Sequence, residues 1–190
     1  TTGEVTRPAH GSGDVNVKLT ATLTLNDYSM TKSFLAVVKE MPPEEELTGY
    51  LFTYFAGEHL ANGEQIYFAL SQGNDPLNYQ APMNGGNPVL VSKLGEKGLR
   101  DPFIIRSPEG DKFYLIATDL RIYAGNGWDA AQRHGSRCIA VWESNDLVNW
   151  SEQRLVEVSP ELAGNTWAPE IFYDHTTGEY IVFWASKIYP

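Results

Sequence analysis

Between Val15 and Leu25 the sequence VNVKLTATLTL alternates apolar and polar residues without interruption. That period of two predicts a β-strand with one buried face. Asn26-Asp27 then reads as a turn, and residues 32–39 (KSFLAVVK) read as a second strand. Residues 41–46 (MPPEEE) combine proline with a run of like charge, as a linker does, so a domain boundary is expected near residue 45. Two strands do not make a stable domain alone. Residues 1–46 therefore read as the C-terminal part of a β module and its linker, with a start at Thr1 that looks processed or cut.

Beyond the linker the chain repeats itself, and the pattern changes from alternating to continuously apolar. Residues 49–57 (GYLFTYFAG), 112–119 (KFYLIATD) and 179–186 (EYIVFWAS) are each an aromatic and β-branched run that ends in small residues. Strands covered on both faces read this way. A second element recurs as IYFALS before DPLNY (66–71, 75–79) and as IAVWES before DLVNW (139–144, 146–150). A third recurs as DPFIIR (101–106) and APEIFY (168–173), each ahead of a turn. The repeat length is roughly 65 to 70 residues with about four strands per unit, the layout of propeller blades. On this reading the chain holds the later strands of one blade (about 47–92), a complete blade (about 99–158) and half of another (about 165–190). The fold class expected is all-β. The one stretch with helical character, around Trp128, looks too short to form a helix ahead of Gly135.

Composition narrows the function. With 190 residues and 42% hydrophobic content the chain can bury a core. Fourteen Lys and Arg against 24 Asp and Glu give a net charge of −10, which repels a phosphate backbone, so nucleic acid is excluded as a natural partner. No apolar run reaches the roughly 20 residues of a membrane span. Cys138 stands alone and cannot form an internal disulfide; it reads as a small buried residue. His10, His134 and His175 show no metal-ligand spacing. Aromatic residues make up 12% of the chain, with five Trp and ten Tyr, which serve as core or as stacking surfaces for the apolar faces of sugars.

The residues LRDPFIIR (99–106), FYLIATD (113–119), SNDLVNW (144–150) and TWAPE (166–170), in that order, resemble glycoside hydrolase family 43. The resemblance implies a five-bladed β-propeller, of which this chain would contain about two and a half blades. It also implies an inverting enzyme of the α-L-arabinofuranosidase or β-xylosidase type, secreted or at the cell surface of a bacterium and acting on plant polysaccharides or oligosaccharides. Residues 12–40 more loosely resemble atrophied bacterial immunoglobulin-like modules, β-sandwiches attached to such enzymes.

An inverting glycosidase needs one carboxylate to deprotonate water and one carboxylic acid, about 6.5 to 9.5 Å away, to protonate the leaving oxygen. By resemblance Asp101 is the general base. Alone, Asp101-Pro102 is also an ordinary turn signal. A residue before proline favours extended backbone, so Asp101 is expected to open a strand and project its carboxylate into the mouth of a central channel. In the next unit Trp167 and Glu170 fall at the equivalent place; Trp167 is expected in the sugar-binding floor, with a core ring as the alternative, and Glu170 in the pocket wall. Phe55, with Glu58 and His59 after it, is a candidate for the pocket rim or for a solvated loop. Asp119 is a candidate for a sugar hydroxyl or for a structural hydrogen bond.

The general acid and the Asp that modulates its pKa are expected beyond Pro190, and the rest of the ring in a second polypeptide. The resemblance requires no cofactor and leaves room for a structural calcium in the channel. A non-catalytic carbohydrate-binding propeller is the alternative function, distinguished by whether those two carboxylates follow.

Overall fold

The computed structural model describes residues 3, 5–44, 46–80 and 82–189, and the chain divides into two compact units, Thr1–Glu46 and Leu47–Pro190.

In the first unit, β1 (Val15–Leu25) and β2 (Tyr28–Val38) form an antiparallel hairpin in unbroken register from Val15↔Val38 to Leu25↔Tyr28. Asn26 makes the turn at φ 52°, a left-handed conformation that Asn tolerates better than most residues. β2 starts earlier than position 32 because a two-residue loop brings Tyr28 directly opposite Leu25. The expected buried face is absent: every residue of β1 is exposed, including Val15, Val17, Leu19, Leu23 and Leu25. A two-stranded ribbon has no second layer to pack against.

Among its described residues the second unit is mostly β, with one short α-helix. Its strands are β3 (Leu51–Tyr54), β4 (Tyr67–Leu70), β5 (Leu99–Arg106), β6 (Phe113–Asp119), β7 (Cys138–Ser144), β8 (Arg154–Glu157), β9 (Trp167–Asp174) and β10 (Glu179–Ala185). β5 to β8 form a four-stranded antiparallel meander; β3 pairs with β4, and β9 with β10. The apolar runs supply the core, in which Ile66, Phe68, Leu90, Leu99, Leu115, Ala117, Ala140 and Trp142 are buried together. β9 packs against β5 and β6.

The sequence repeats are structural repeats. After β4 the chain turns and Ser71 bridges Tyr79; after β7 it turns and Ser144 bridges Trp150. An Asp organises each turn, with Asp75 Oδ1 accepting the Leu77 N–H and Asp146 Oδ1 accepting those of Val148 and Asn149.

The stretch around Trp128 does form a helix, α1 (Gly127–His134). Asp129 and Arg133 pair one turn apart at 2.9 Å, and Ala131 is buried. An eight-residue helix is marginal in water and depends on tertiary packing, here the burial of Ala131 and the contacts of the Trp128 ring with Arg100 and Trp167.

Candidate functional site

The site is built on a β-bulge. Across β5 and β6, Arg100 faces Thr118 and Phe103 faces Ile116, so Asp101 and Pro102 together oppose Ala117. Two residues against one is a bulge, which bends the strand and re-aims side chains. Pro102 fits there because it has no N–H to give to a ladder. Asp101 is not extended as local preference before proline requires: its φ is 48°, in the left-handed region. Cross-strand register overrides that preference. Such a conformation costs of order 1–3 kcal/mol in a non-glycine residue and tends to mark functional positions.

The Asp101 carboxylate is partly exposed, and its Oδ2 accepts a hydrogen bond of 3.0 Å from the Thr118 hydroxyl. The neighbouring Arg100 is buried. Its Nη1 donates to Glu64 Oε1 at 3.0 Å and its Nη2 to Glu58 Oε2 at 3.2 Å. Glu64 is itself buried, and its carboxylate also accepts the N–H groups of Ile122 and Tyr123. The charge of Arg100 is thus paired and hydrogen-bonded, the condition under which buried ions persist.

The Arg100 guanidinium lies between two rings, 4.7 Å from the centroid of Phe55 and 4.8 Å from that of Trp128. Trp128 in turn meets Trp167 edge to face at 6.0 Å. Phe55, Arg100, Trp128 and Trp167 therefore form one continuous wall beside Asp101. Glu58, on the rim of that wall, is held below the usual carboxylate range by its own backbone N–H first, and by Arg100 and Trp128. It is ionised at neutral pH and cannot serve there as a proton donor.

Of the residues expected from sequence, Asp101, Phe55, Glu58 and Trp167 come together. Glu170 is exposed on β9, opposite Phe183. His59 is exposed in the loop after β3. Asp119 is buried with partners of its own: Oδ1 accepts the Glu96 N–H at 2.9 Å, and Ser136 lies within hydrogen-bonding reach. Burial pushes its carboxyl above the usual range, against the pull of Ser136 and Glu96. Gly95, at φ 54°, makes this approach feasible, since a Cβ there would lie 2.1 Å from the Asp119 carboxylate.

Three residues that sequence reading missed are Glu64, Thr118 and Trp128. Among the described residues no group of three or more His, Cys, Asp or Glu side chains is placed to hold a metal ion.

Residues 45–190 match the family model described as "Probable glycosyl hydrolase domain", which is related to glycoside hydrolase family 43. The chain belongs to this family. Residues 1–41 match the atrophied bacterial Ig domain. An alpha-L-arabinofuranosidase of Bifidobacterium longum subsp. longum is 38% identical over 194 residues, covering 98% of this chain and 18% of the relative. The chain thus spans less than a fifth of the length of the curated relative it matches.

Proposed function

We propose that this chain carries the base-bearing part of an inverting glycoside hydrolase that releases arabinofuranose units from plant polysaccharides or oligosaccharides. The observation that carries the reading is the Asp101 carboxylate, held partly exposed on a strained bulge beside Phe55, Arg100, Trp128 and Trp167. The name of the B. longum relative favours arabinofuranose over xylose.

Asp101 takes a proton from a water molecule as that water attacks the anomeric carbon. The C–O bond to the leaving group breaks on the opposite face, and its oxygen takes a proton from a second carboxyl group acting as the acid, so the product forms with inverted configuration. The rings of Trp128 and Trp167 offer faces and edges to the apolar side of the sugar. A five-bladed propeller accounts for the sheets. β5 to β8 make one blade, β3–β4 and β9–β10 belong to its neighbours, and the remaining blades come from further sequence or a second polypeptide. The apolar gap of about 370 Å³ lined by Ile116, Val141, Val156, Ile171, Tyr180 and Val182 supports this, as room where neighbouring blades pack. A polymeric substrate places the protein outside the cell or on its surface.

The test is kinetic. In the full-length protein Asp101→Asn keeps the size of the side chain but cannot accept the proton, so hydrolysis of an aryl α-L-arabinofuranoside falls by about 10²–10⁴-fold while binding persists. Trp167→Ala and Trp128→Ala instead raise KM, because a stacking ring acts on ground and transition states together. Near-normal turnover by Asp101→Asn overturns the base assignment and favours a carbohydrate-binding propeller that does not cleave.

A further inference from the structure

We infer that Thr118 is a positioning residue for Asp101: its hydroxyl orients the carboxylate by tying it to the backbone of β9. The inference rests on the reading of Asp101 as the base. Thr118 Oγ1 donates to Asp101 Oδ2 at 3.0 Å and accepts the Ala168 N–H at 2.8 Å. A hydroxyl has a single proton. With the Ala168 N–H bound to one lone pair, that proton is directed at the carboxylate, and the β-branched side chain has little rotational freedom to redirect it. One carboxylate oxygen is thereby anchored, and the other is left to meet water. Thr118 has no exposed surface, so it cannot touch a sugar and acts only through Asp101.

The chain contains its own comparison. In β9 and β10, Trp167 faces Ala185 and Glu170 faces Phe183, so Ala168 and Pro169 oppose Trp184 in the same bulge. Ala168 has the φ of Asp101, 48°, and likewise precedes proline. Position by position, Ala168 stands where Asp101 does and Ala185 stands where Thr118 does. The bulge therefore forms without a hydroxyl opposite it. The hydroxyl accompanies the carboxylate: both are present in the first repeat and both are absent from the second. A purely structural requirement of the bulge would have kept the hydroxyl in both.

The experiment compares Thr118→Val, Thr118→Ser and Asp101→Asn in the full-length protein, with steady-state kinetics on an aryl α-L-arabinofuranoside and thermal melting of each variant. Valine keeps the volume of threonine and loses the hydroxyl. The expected result is a kcat lowered roughly 10- to 100-fold, the scale of a misplaced catalytic group, with KM changed by less than about threefold and most of the kcat retained by serine. A normal kcat for Thr118→Val alongside an inactive Asp101→Asn overturns the positioning role and leaves the base assignment standing. Equal losses for valine and serine that track their melting temperatures also overturn it, since packing would then explain them. An active Asp101→Asn overturns the base assignment and the positioning role together.

Discussion

Glu64 and Arg100 meet at 3.0 Å beneath the aromatic wall, and the carboxylate that pairs with the guanidinium also accepts two backbone N–H groups from the segment after β6. The pair joins the loop after β3 to β5 and to the chain leading into α1, so the position of both rings that flank Arg100 depends on it. Removing one charge from a buried pair costs about 3–5 kcal/mol when the other is left uncompensated; Arg100 keeps the more exposed Glu58 at 3.2 Å, so the loss stays at or below the lower end of that range. Glu64→Gln is therefore expected to lower the melting temperature by up to roughly 6 to 12 °C, at the 2–4 °C per kcal/mol of a domain this size. The double variant Glu64→Gln/Arg100→Met is expected to lose less than the sum of the two single losses, because it buries no unpaired charge. Thermal melts of the three variants check both statements.

Asp119 gives a pH dependence of the opposite sign to that of an ordinary paired carboxylate. Burial raises its pKa in the folded state above the unfolded value. The folded protein then binds more protons than the unfolded one between the two values, so this group weakens the fold as pH rises through the folded pKa and has no effect below the unfolded one. Asp119→Asn keeps an oxygen for the Glu96 N–H and removes the buried charge. Its melting temperature is expected to exceed that of the wild type at pH 7 to 8, with the difference shrinking as pH falls towards the usual carboxyl range near 4. Melts across that range check the sign; a difference that grows at low pH contradicts it.

Much of this arrangement is legible in the sequence. Strict alternation located β1, and the internal repeats aligned Asp101-Pro102 with Ala168-Pro169, whose bulges are the same in backbone. What escaped depended on partners distant in sequence. The left-handed conformation of Asp101 follows from register against β6, which outweighs the local preference before proline. Thr118 read as the end of an apolar run, and the neighbouring Asp119 drew attention as the more polar residue. Successive strand residues point to opposite faces, and it is Thr118 that reaches Asp101 while Asp119 meets Glu96. Glu64 sits among polar loop residues; only Arg100, Ile122 and Tyr123, 36 to 59 positions later, make it buried structure. Trp128 was passed over because α1 is short, and a short helix is stabilised by contacts that periodicity does not reveal.

The paired bulges separate strain from chemistry. At φ 48° a side chain with a Cβ costs roughly 1–2 kcal/mol relative to glycine, partly offset by the extra 0.4–1 kcal/mol of backbone entropy that glycine loses on folding. Ala168→Gly keeps the N–H that Thr118 accepts. It is expected to gain up to about 1.6 kcal/mol, or roughly 3 to 6 °C in melting temperature, with kcat and KM unchanged. Asp101→Gly relieves the same strain but forfeits the hydrogen bond from Thr118, worth about 1 kcal/mol. Its stability should stay within about 1 kcal/mol of the wild type while hydrolysis is lost. A calorimetric scan with an arabinofuranoside assay on both variants reads the two effects separately. If Ala168→Gly destabilises as much as a typical core substitution, the left-handed backbone at these positions is not strained, and the bulge holds Asp101 at no cost to the fold.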